Sequence, residues 1–494
     1  MFTVVGAQAQ FILVGEPGSA ILYERLFRER YVTRDHPFVR DPQLAPYFVS
    51  DIDSTFIDAG LDIWPDRLGF ARVYAYATED ASVVQGTATG SVERFRAGVT
   101  GRLSRRIAGI STLALDEALS SDPSYTGKTW RGLAGDVETA ALSYDGERLD
   151  VIFGRARMSV GPVYTNTLAS SDAPPLDGVF VRYRAGSRLS ASYHLARLDP
   201  LSPDRDSGAG EVVTEFVNRW WATHRVDIRP HSSFRLGLFE AIIFAGPGRT
   251  LELQYLNPLN FYHGSQLNED NNDNIYLGFD FDWRLARGAG VYGQLLVDDY
   301  QIDNQTRGDN EPSQIGVLAG AQLVDIVDEC DARIEFTKVT NRTYGQKLPR
   351  NRYLNHGRPI GHPQGTDFEQ YDCRVDRWLS SRAYLRARAR YLRQGEGRIS
   401  AVWTEPWLTT ENYQESSPTG VVENGLDLSL TFHTALGQGI LRRDTPNTAP
   451  FGFLSIVAGR RIIDNHAHVP GVNSESWYAG FSLSLFAAVD WAMD

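Results

Sequence analysis

Between Asn274 and Leu285, apolar and polar residues alternate without a break. Ile275, Leu277, Phe279, Phe281, Trp283 and Leu285 share one face, and Tyr276, Gly278, Asp280, Asp282 and Arg284 share the other. Successive side chains of a strand point to opposite faces, so this period of two predicts a β-strand. Soluble strands are usually about 5–6 residues long, whereas a strand that crosses a membrane needs about 9–11. The same alternation recurs over 70–77, 381–391, 426–436 and 477–485. In 381–391 one face carries Arg382, Tyr384, Arg386, Arg388 and Arg390, while the other carries only Ala383, Leu385, Ala387, Ala389 and Tyr391. Alternation alone does not say which face is inside. A soluble sandwich would bury the apolar face, and a membrane barrel would turn it outward.

The connections separate the two. Short turns are expected near 104–105, 145–147, 185–187, 230–232, 287–289, 328–329 and 380–381. Long polar loops are expected near 79–92, 117–133, 157–176, 199–212, 245–272, 302–312, 343–365, 395–421 and 464–474, and only 438–449 blurs the scheme. Short and long connections that alternate along the chain are the pattern of an outer-membrane barrel, with short periplasmic turns and long outer loops. Counting from residue 68 gives about 18 strands with both termini periplasmic. The expected fold is therefore all-β, a closed antiparallel transmembrane β-barrel. Residues 54–63 read as an extra strand or a lead-in.

The remaining composition excludes more than it assigns. No stretch approaches the roughly 20 apolar residues of a membrane helix. The net charge of −12 and the lack of a basic block argue against a nucleic-acid partner. Residues 1–9 end in Ala7-Gln8-Ala9, an A-x-A pattern read as a signal-peptide remnant, with the mature chain starting near Gln10. Ser19 opens a helical stretch over 19–33, and a second turn is possible at 41–44. Cys330 and Cys373 either pair or stand alone on different strands. There is no GxSxG, P-loop or HExxH motif. Asp298 and Asp299 are adjacent on a strand, so they face opposite ways and cannot serve one substrate as a carboxylate pair. His466 and His468 share a face without an evident third metal ligand, and the acidic run 268–273 lacks the glycine of a calcium loop. No catalytic residue, cofactor or metal is expected.

Several landmarks between about 150 and 395 occur in a specific order. They are Gly154-Arg155 followed by Gly161-Pro162, Ser170-Ser171-Asp172-Ala173-Pro174, Tyr255-Leu256-Asn257-Pro258-Leu259, the QLLVDDYQID segment with Asp298 and Asp299, and His356-Gly357-Arg358-Pro359-Ile360-Gly361-His362 leading to Gly365-Thr366-Asp367. In these the chain resembles the Wzi capsule-assembly family of outer-membrane proteins, although Val160 stands where an aromatic would be expected. The resemblance implies an 18-stranded barrel with a helical N-terminal plug. It also implies a non-enzymatic, lectin-like role in attaching or assembling surface polysaccharide (capsular or exopolysaccharide). On that reading residues 10–66 form plug and lead-in, and 67–494 form the barrel. The partners are surface glycan and outer-membrane lipid, with the protein a monomer.

Two sets of side chains suit such chemistry. Aromatic rings stack on sugars, which singles out Tyr262, His263, Tyr353, Trp403, Trp407 and Tyr413 on the long loops, with an interfacial aromatic girdle as the alternative. Guanidinium forks hold carboxylates and phosphates, which singles out a lumenal ladder of Arg382, Arg386, Arg388 and Arg390, supplemented by Arg155, Arg157, Arg182, Arg184 and Arg188. The alternative for the ladder is pairing with the chain's own carboxylates and with the plug. A porin-like channel for anionic or sugar solutes is the competing function, because a barrel of this size is wide enough for water.

Overall fold

The computed structural model describes residues 11–12, 19–32, 44–45, 47–48 and 68–492, apart from 86, 123–124, 126, 164, 207–212, 270–271, 302–305, 307–309 and 437–451. Eighteen antiparallel strands close into one barrel. They are β1 (Phe70–Val84), β2 (Thr87–Arg102), β3 (Ile107–Asp116), β4 (Leu133–Asp145), β5 (Leu149–Ala156) and β6 (Leu176–Arg184). Then come β7 (Leu189–Leu201), β8 (Val217–His231), β9 (Phe234–Gly246), β10 (Asn274–Ala286), β11 (Ala289–Asp299) and β12 (Gln314–Val327). The last six are β13 (Cys330–Val339), β14 (Phe368–Ser380), β15 (Ala383–Gln394), β16 (Glu423–Leu436), β17 (Gly452–Asp464) and β18 (Ser474–Ala492). Strand β18 closes on β1 from Tyr478 opposite Val84 to Ala492 opposite Phe70, and Arg72 donates to Asp490 at 2.6 Å across that seam.

The seven expected turns fall between strands, and eight of the nine expected long loops are long. The exception is 79–92. There β1 runs on to Val84 and β2 restarts at Thr87, so the connection is a tight hairpin. The reason is the length of β18, which offers hydrogen-bonding partners to β1 along its whole course. Expectations for residues 1–9, 54–63 and 438–449 lie outside the described residues, as do the bounds of the lead-in over 10–66. Asp41, Pro42 and Gln43 also lie outside them, and Leu44 pairs as a strand residue with Val160.

The sidedness is that of a membrane barrel. On β10 the apolar set is turned outward, with Trp283 46% exposed, whereas Asp280 is fully buried inside. Likewise Leu428, Leu430, Trp477, Phe481 and Leu485 are exposed on the outer wall. Buried charges are tolerable when paired. Inside, Arg225 donates to Asp227 at 2.9 Å and to Asp280 at 2.8 Å, and Arg182 donates to Asp150 at 2.8 Å.

The lumen is filled from both ends. From the periplasmic side helix α1 (Ser19–Val32) packs Phe27 and Tyr31 against Tyr292 and Leu318. The Gly288 N–H in a periplasmic turn donates to the Tyr31 carbonyl at 2.7 Å. From the outer side loop 157–175 descends until Arg30 of α1 donates to the Pro162 carbonyl at 3.1 Å. Gln294 fixes this loop by donating to the Val160 carbonyl at 3.0 Å and accepting from the Thr167 N–H at 2.7 Å. Loop 340–367 fills the space above. There Tyr353 donates to the Leu168 carbonyl and accepts from Trp221, each at 2.8 Å. Arg219 donates to the carbonyls of Arg350, Arg352 and Leu354.

Cys330 and Cys373 are both free. They lie on neighbouring strands, but Cys330 faces Arg377 and Cys373 faces Ile334. Four residues of ladder separate them, about 13 Å at ~3.3 Å per residue, which is beyond disulfide reach.

Candidate functional site

Above the filled lumen a cleft of about 460 Å³ opens at the outer end of β2 to β5. Strand alternation aims Arg94 and Arg96 of β2 into it, facing Asp136 and Glu138 of β4 and Arg155 of β5. The floor and far wall come from Arg157, Pro174 and Pro175 of loop 157–175 and from the turn bearing His356 and Arg358, and Tyr125 stands at the rim. Charges alternate in sign. Arg96 grips Glu138 through two donors at 2.5 and 2.9 Å, and Arg94 donates to Asp116 at 2.6 Å. Arg155 lies 2.5 Å from Asp177 and 3.5 Å from Asp136, and Arg358 pairs with Asp122. Arg157 donates to the Ala173 carbonyl at 2.8 Å, which fixes the loop that forms the wall. Each sugar hydroxyl is both donor and acceptor, so a wall where carboxylates and guanidiniums alternate can satisfy both roles.

A second feature lies on loop 395–422. Trp403, Trp407 and Tyr413 cluster there, with Trp403 set edge-on to Trp407 at 6.4 Å and Tyr413 6.3 Å from Trp407. Arg342 sits over the Trp407 ring at 4.8 Å and pairs with Glu415. Tyr413 donates to Glu415 at 2.9 Å, and burial together with that acceptor raises its hydroxyl pKa. Trp407 is buried, whereas Trp403 and Tyr413 keep part of their surface open.

The other aromatic candidates part company. Tyr353 is fully buried, stacked on Tyr344 at 5.3 Å. It has no face for a sugar, because the lumen that a ligand would enter is packed by its own loop. Tyr262 is also fully buried, and it lies on the outer wall of the barrel rather than over the mouth. The reason is that loop 247–273 folds outward and down. His263 is next to it and exposed, with its N–H donating to Glu240 at 2.9 Å. Structure thus corrects the expectation for Tyr262, Tyr353 and Trp407 as ring-stacking residues.

The arginine ladder is neutralised from within. Arg386 donates to Asp376 at 2.7 Å and pairs with Glu24 of α1 at 3.0 Å, Arg388 donates to Asp372 at 2.6 Å, and Arg390 is 3.8 Å from Asp427. Arg382 lies in the periplasmic turn below β15, away from the other three. Asp298 accepts the Tyr344 N–H at 2.7 Å and Asp299 accepts from Gln301 at 3.2 Å, so the two carboxylates act separately. The ring nitrogens of His468 contact the Val421 carbonyl and Arg398, each at 2.8 Å.

The family model described as "Capsule assembly protein Wzi" matches residues 71–447, about three quarters of the chain. The chain belongs to the Wzi capsule assembly family. It is an outer-membrane β-barrel protein, as that family and the closed 18-stranded fold require. A solved structure of Wzi from Escherichia coli, described as a carbohydrate-binding β-barrel involved in group 1 capsule assembly, has a TM-score of 0.60. It covers 97% of this chain and 99% of its own, at 11% identity. OprD of Pseudomonas aeruginosa has a TM-score of 0.45 at 10% identity, covering 86% of this chain and 97% of its own. No curated protein matches the sequence.

Most of the family landmarks turn out to build this Wzi-family barrel's interior. Gly161 at φ +140 starts the turn that meets α1. Asp367 accepts from the Gly397 N–H at 2.7 Å and the Thr419 N–H at 2.9 Å, tying two outer loops together. His362 stacks on Phe368 at 4.7 Å, and burial followed by the nearby Arg390 charge lowers its pKa to about 3, so it stays neutral. Arg94, Arg96, Asp136, Glu138 and Tyr125 were not singled out from the sequence. For the four strand residues the signal was inward parity next to long outer loops, and Tyr125 carried none.

Proposed function

We propose that this Wzi-family barrel binds surface polysaccharide at its outer mouth and helps to hold or assemble it on the cell, without catalysing a reaction on it. The observation that carries this reading is the cleft of Arg94, Arg96, Asp136, Glu138, Arg155 and Arg358, open outward above a lumen occupied by α1 and two loops. A wall of paired charges suits hydroxyl-rich ligands better than a bare cation patch would, because it offers donors and acceptors at once. The part-exposed Trp403 and Tyr413 supply stacking surface on the same outer side. The E. coli Wzi of matching fold is described as carbohydrate-binding, which agrees with this reading.

The filled lumen speaks against the channel. The test pairs two measurements. Deletion of the gene is expected to shift polysaccharide from cell-attached to shed, and restoration with the wild-type gene is expected to reverse it. In planar bilayers the intact protein is expected to give no steady conductance. Unchanged glycan attachment together with stable open-channel currents would favour the channel and overturn the proposal.

A further inference from the structure

The outer wall of this barrel carries a polar pair, a histidine facing a carboxylate. His224 of β8 and Glu240 of β9 face each other across the ladder, with Nε2 and Oε2 3.1 Å apart. Both belong to the outward set, because their neighbours Arg225, Phe239 and Ala241 are the buried inward ones. A lipid-facing carboxylate there would be costly, and the chain covers it. Loop 247–273 turns down over the wall, and the N–H groups of Tyr262 and His263 each donate to the Glu240 carboxylate at 2.9 Å. Those two residues begin the helix Tyr262–Glu269, whose positive end thus meets the anion.

The cover is a packed layer. Tyr255 lies 4.6 Å from Phe244 and Tyr262 lies 4.5 Å from His224, and Tyr193 donates to the Tyr255 carbonyl at 2.7 Å. Ile242 and Phe244, outward residues of β9, are fully buried beneath it, while Leu238 further down the same face is 46% exposed. The apolar band of such a barrel is about 25 Å tall, which a tilted strand crosses in about 10 residues. Measured from Phe234, whose ring meets Trp283 edge-on at the periplasmic end of this face, ten residues reach Ile243. Glu240 and Ile242 therefore lie in the outer half of the band and Phe244 at its outer edge, and the layer upon them lies there too.

Large apolar side chains stand out from the surface of that layer. Leu259 is 92% and Leu253 84% exposed, with Phe261 and Leu251 exposed beside them. Several polar groups of this loop turn inward upon one another. Arg249 donates to Glu252 at 2.6 Å, Tyr255 to Asp273 at 2.6 Å, and Asn260 to the Gln254 carbonyl at 3.0 Å. We propose that segment 247–269 is a membrane-embedded collar, with Leu253, Leu259 and Phe261 seated in the outer-leaflet acyl chains. The occupant is lipid because the patch is continuous with the exposed Leu238, Leu277 and Phe279 of the barrel's lipid belt. The inference does not depend on glycan binding.

The test uses full-length protein with Cys330→Ser and Cys373→Ser, reconstituted in phosphatidylethanolamine–phosphatidylglycerol vesicles. Single spin labels are placed at Leu259→Cys and, as an independent site, Leu253→Cys. Leu238→Cys serves as the lipid-facing reference, and Val402→Cys, on an outer loop and 85% exposed, as the aqueous one. Heat-modifiable gel mobility confirms that each variant is folded. The expected result is an oxygen-to-nickel-chelate accessibility ratio at 259 and 253 matching that at 238 and several-fold above that at 402. A ratio matching position 402 would overturn the proposal by placing the loop in water. Low accessibility to both reagents would overturn it in favour of a protein cover such as a second copy.

Discussion

Glu24 of α1 and Arg386 of β15 stand 3.0 Å apart inside the barrel, joining the plug to the wall. Arg333 of β13 reaches the same carboxylate at 2.9 Å, and Arg374 of β14 at 3.6 Å. One plug residue thus neutralises guanidiniums from three consecutive strands. Burial by itself would raise the Glu24 pKa, but the three guanidiniums outweigh it and hold the carboxyl well below the usual carboxylate range.

Replacing Glu24 with Gln leaves those arginines short of a charge in a buried place. Removing one partner of a buried pair costs about 3–5 kcal/mol. The expected outcome is a lower denaturant midpoint with a barrel that still shows heat-modifiable mobility, together with transient conductance steps absent from the wild type. The pH dependence has a definite sign. A depressed folded-state pKa gives stability that is present above the unfolded value of about 4.3 and is lost as pH falls below it. Acid titration of plug release should therefore be steeper for the wild type than for Glu24→Gln.

Gly161 lies where loop 157–175 meets the plug helix, next to the Pro162 carbonyl that accepts from Arg30. Its φ of +140 is one that side chains rarely adopt, and a Cβ there would collide with the side chains of Asn166 and Gln294. Gly161→Ala is expected to lower stability by about 1–3 kcal/mol. Protease cleavage within 157–175 of the folded protein is the measurement, and resistance equal to the wild type would count against the account of the plugged lumen.

Glu311, in the outer loop between β11 and β12, has its pKa pushed up to about 7 by burial and then by the nearby Asp299 charge. A raised folded-state value gives stability that is full below the unfolded pKa of about 4.3 and is lost as pH rises through 7. The amides of Glu311 and residues 313–315 should therefore exchange faster, relative to intrinsic rates, at pH 8 than at pH 5. Glu311→Gln should remove most of that difference, because it stays neutral at both values.

Cleft and aromatic cluster make separable contributions to glycan retention. Arg358→Ala removes a half-exposed cleft donor that pairs with Asp122, so folding should survive. Trp403→Ala removes part-exposed ring surface. Each change is expected to weaken binding of isolated surface polysaccharide by roughly tenfold, equivalent to ~1.4 kcal/mol. Calorimetry on detergent-solubilised protein reads this directly. Wild-type affinity in both variants would move the binding surface elsewhere.

Sidedness explains how much could be read beforehand. Alternation in 274–285 fixes which residues share a face, and alternating connection lengths fix the strand count and the outward apolar face, because only a closed barrel in lipid reconciles the two. The tight 85–86 hairpin escaped such reading, since β1 is prolonged by β18, a strand about 400 residues away in sequence. The same holds for Tyr262 and Tyr353. Both lie on long aromatic-bearing loops that look alike as strings, yet one loop folds down the outside over Glu240 and the other fills the lumen under Trp221. Local pattern determined the barrel and its orientation. The direction each loop takes, and hence which aromatics and arginines remain open, was decided only by tertiary pairing of buried polar groups whose partners are distant in the chain.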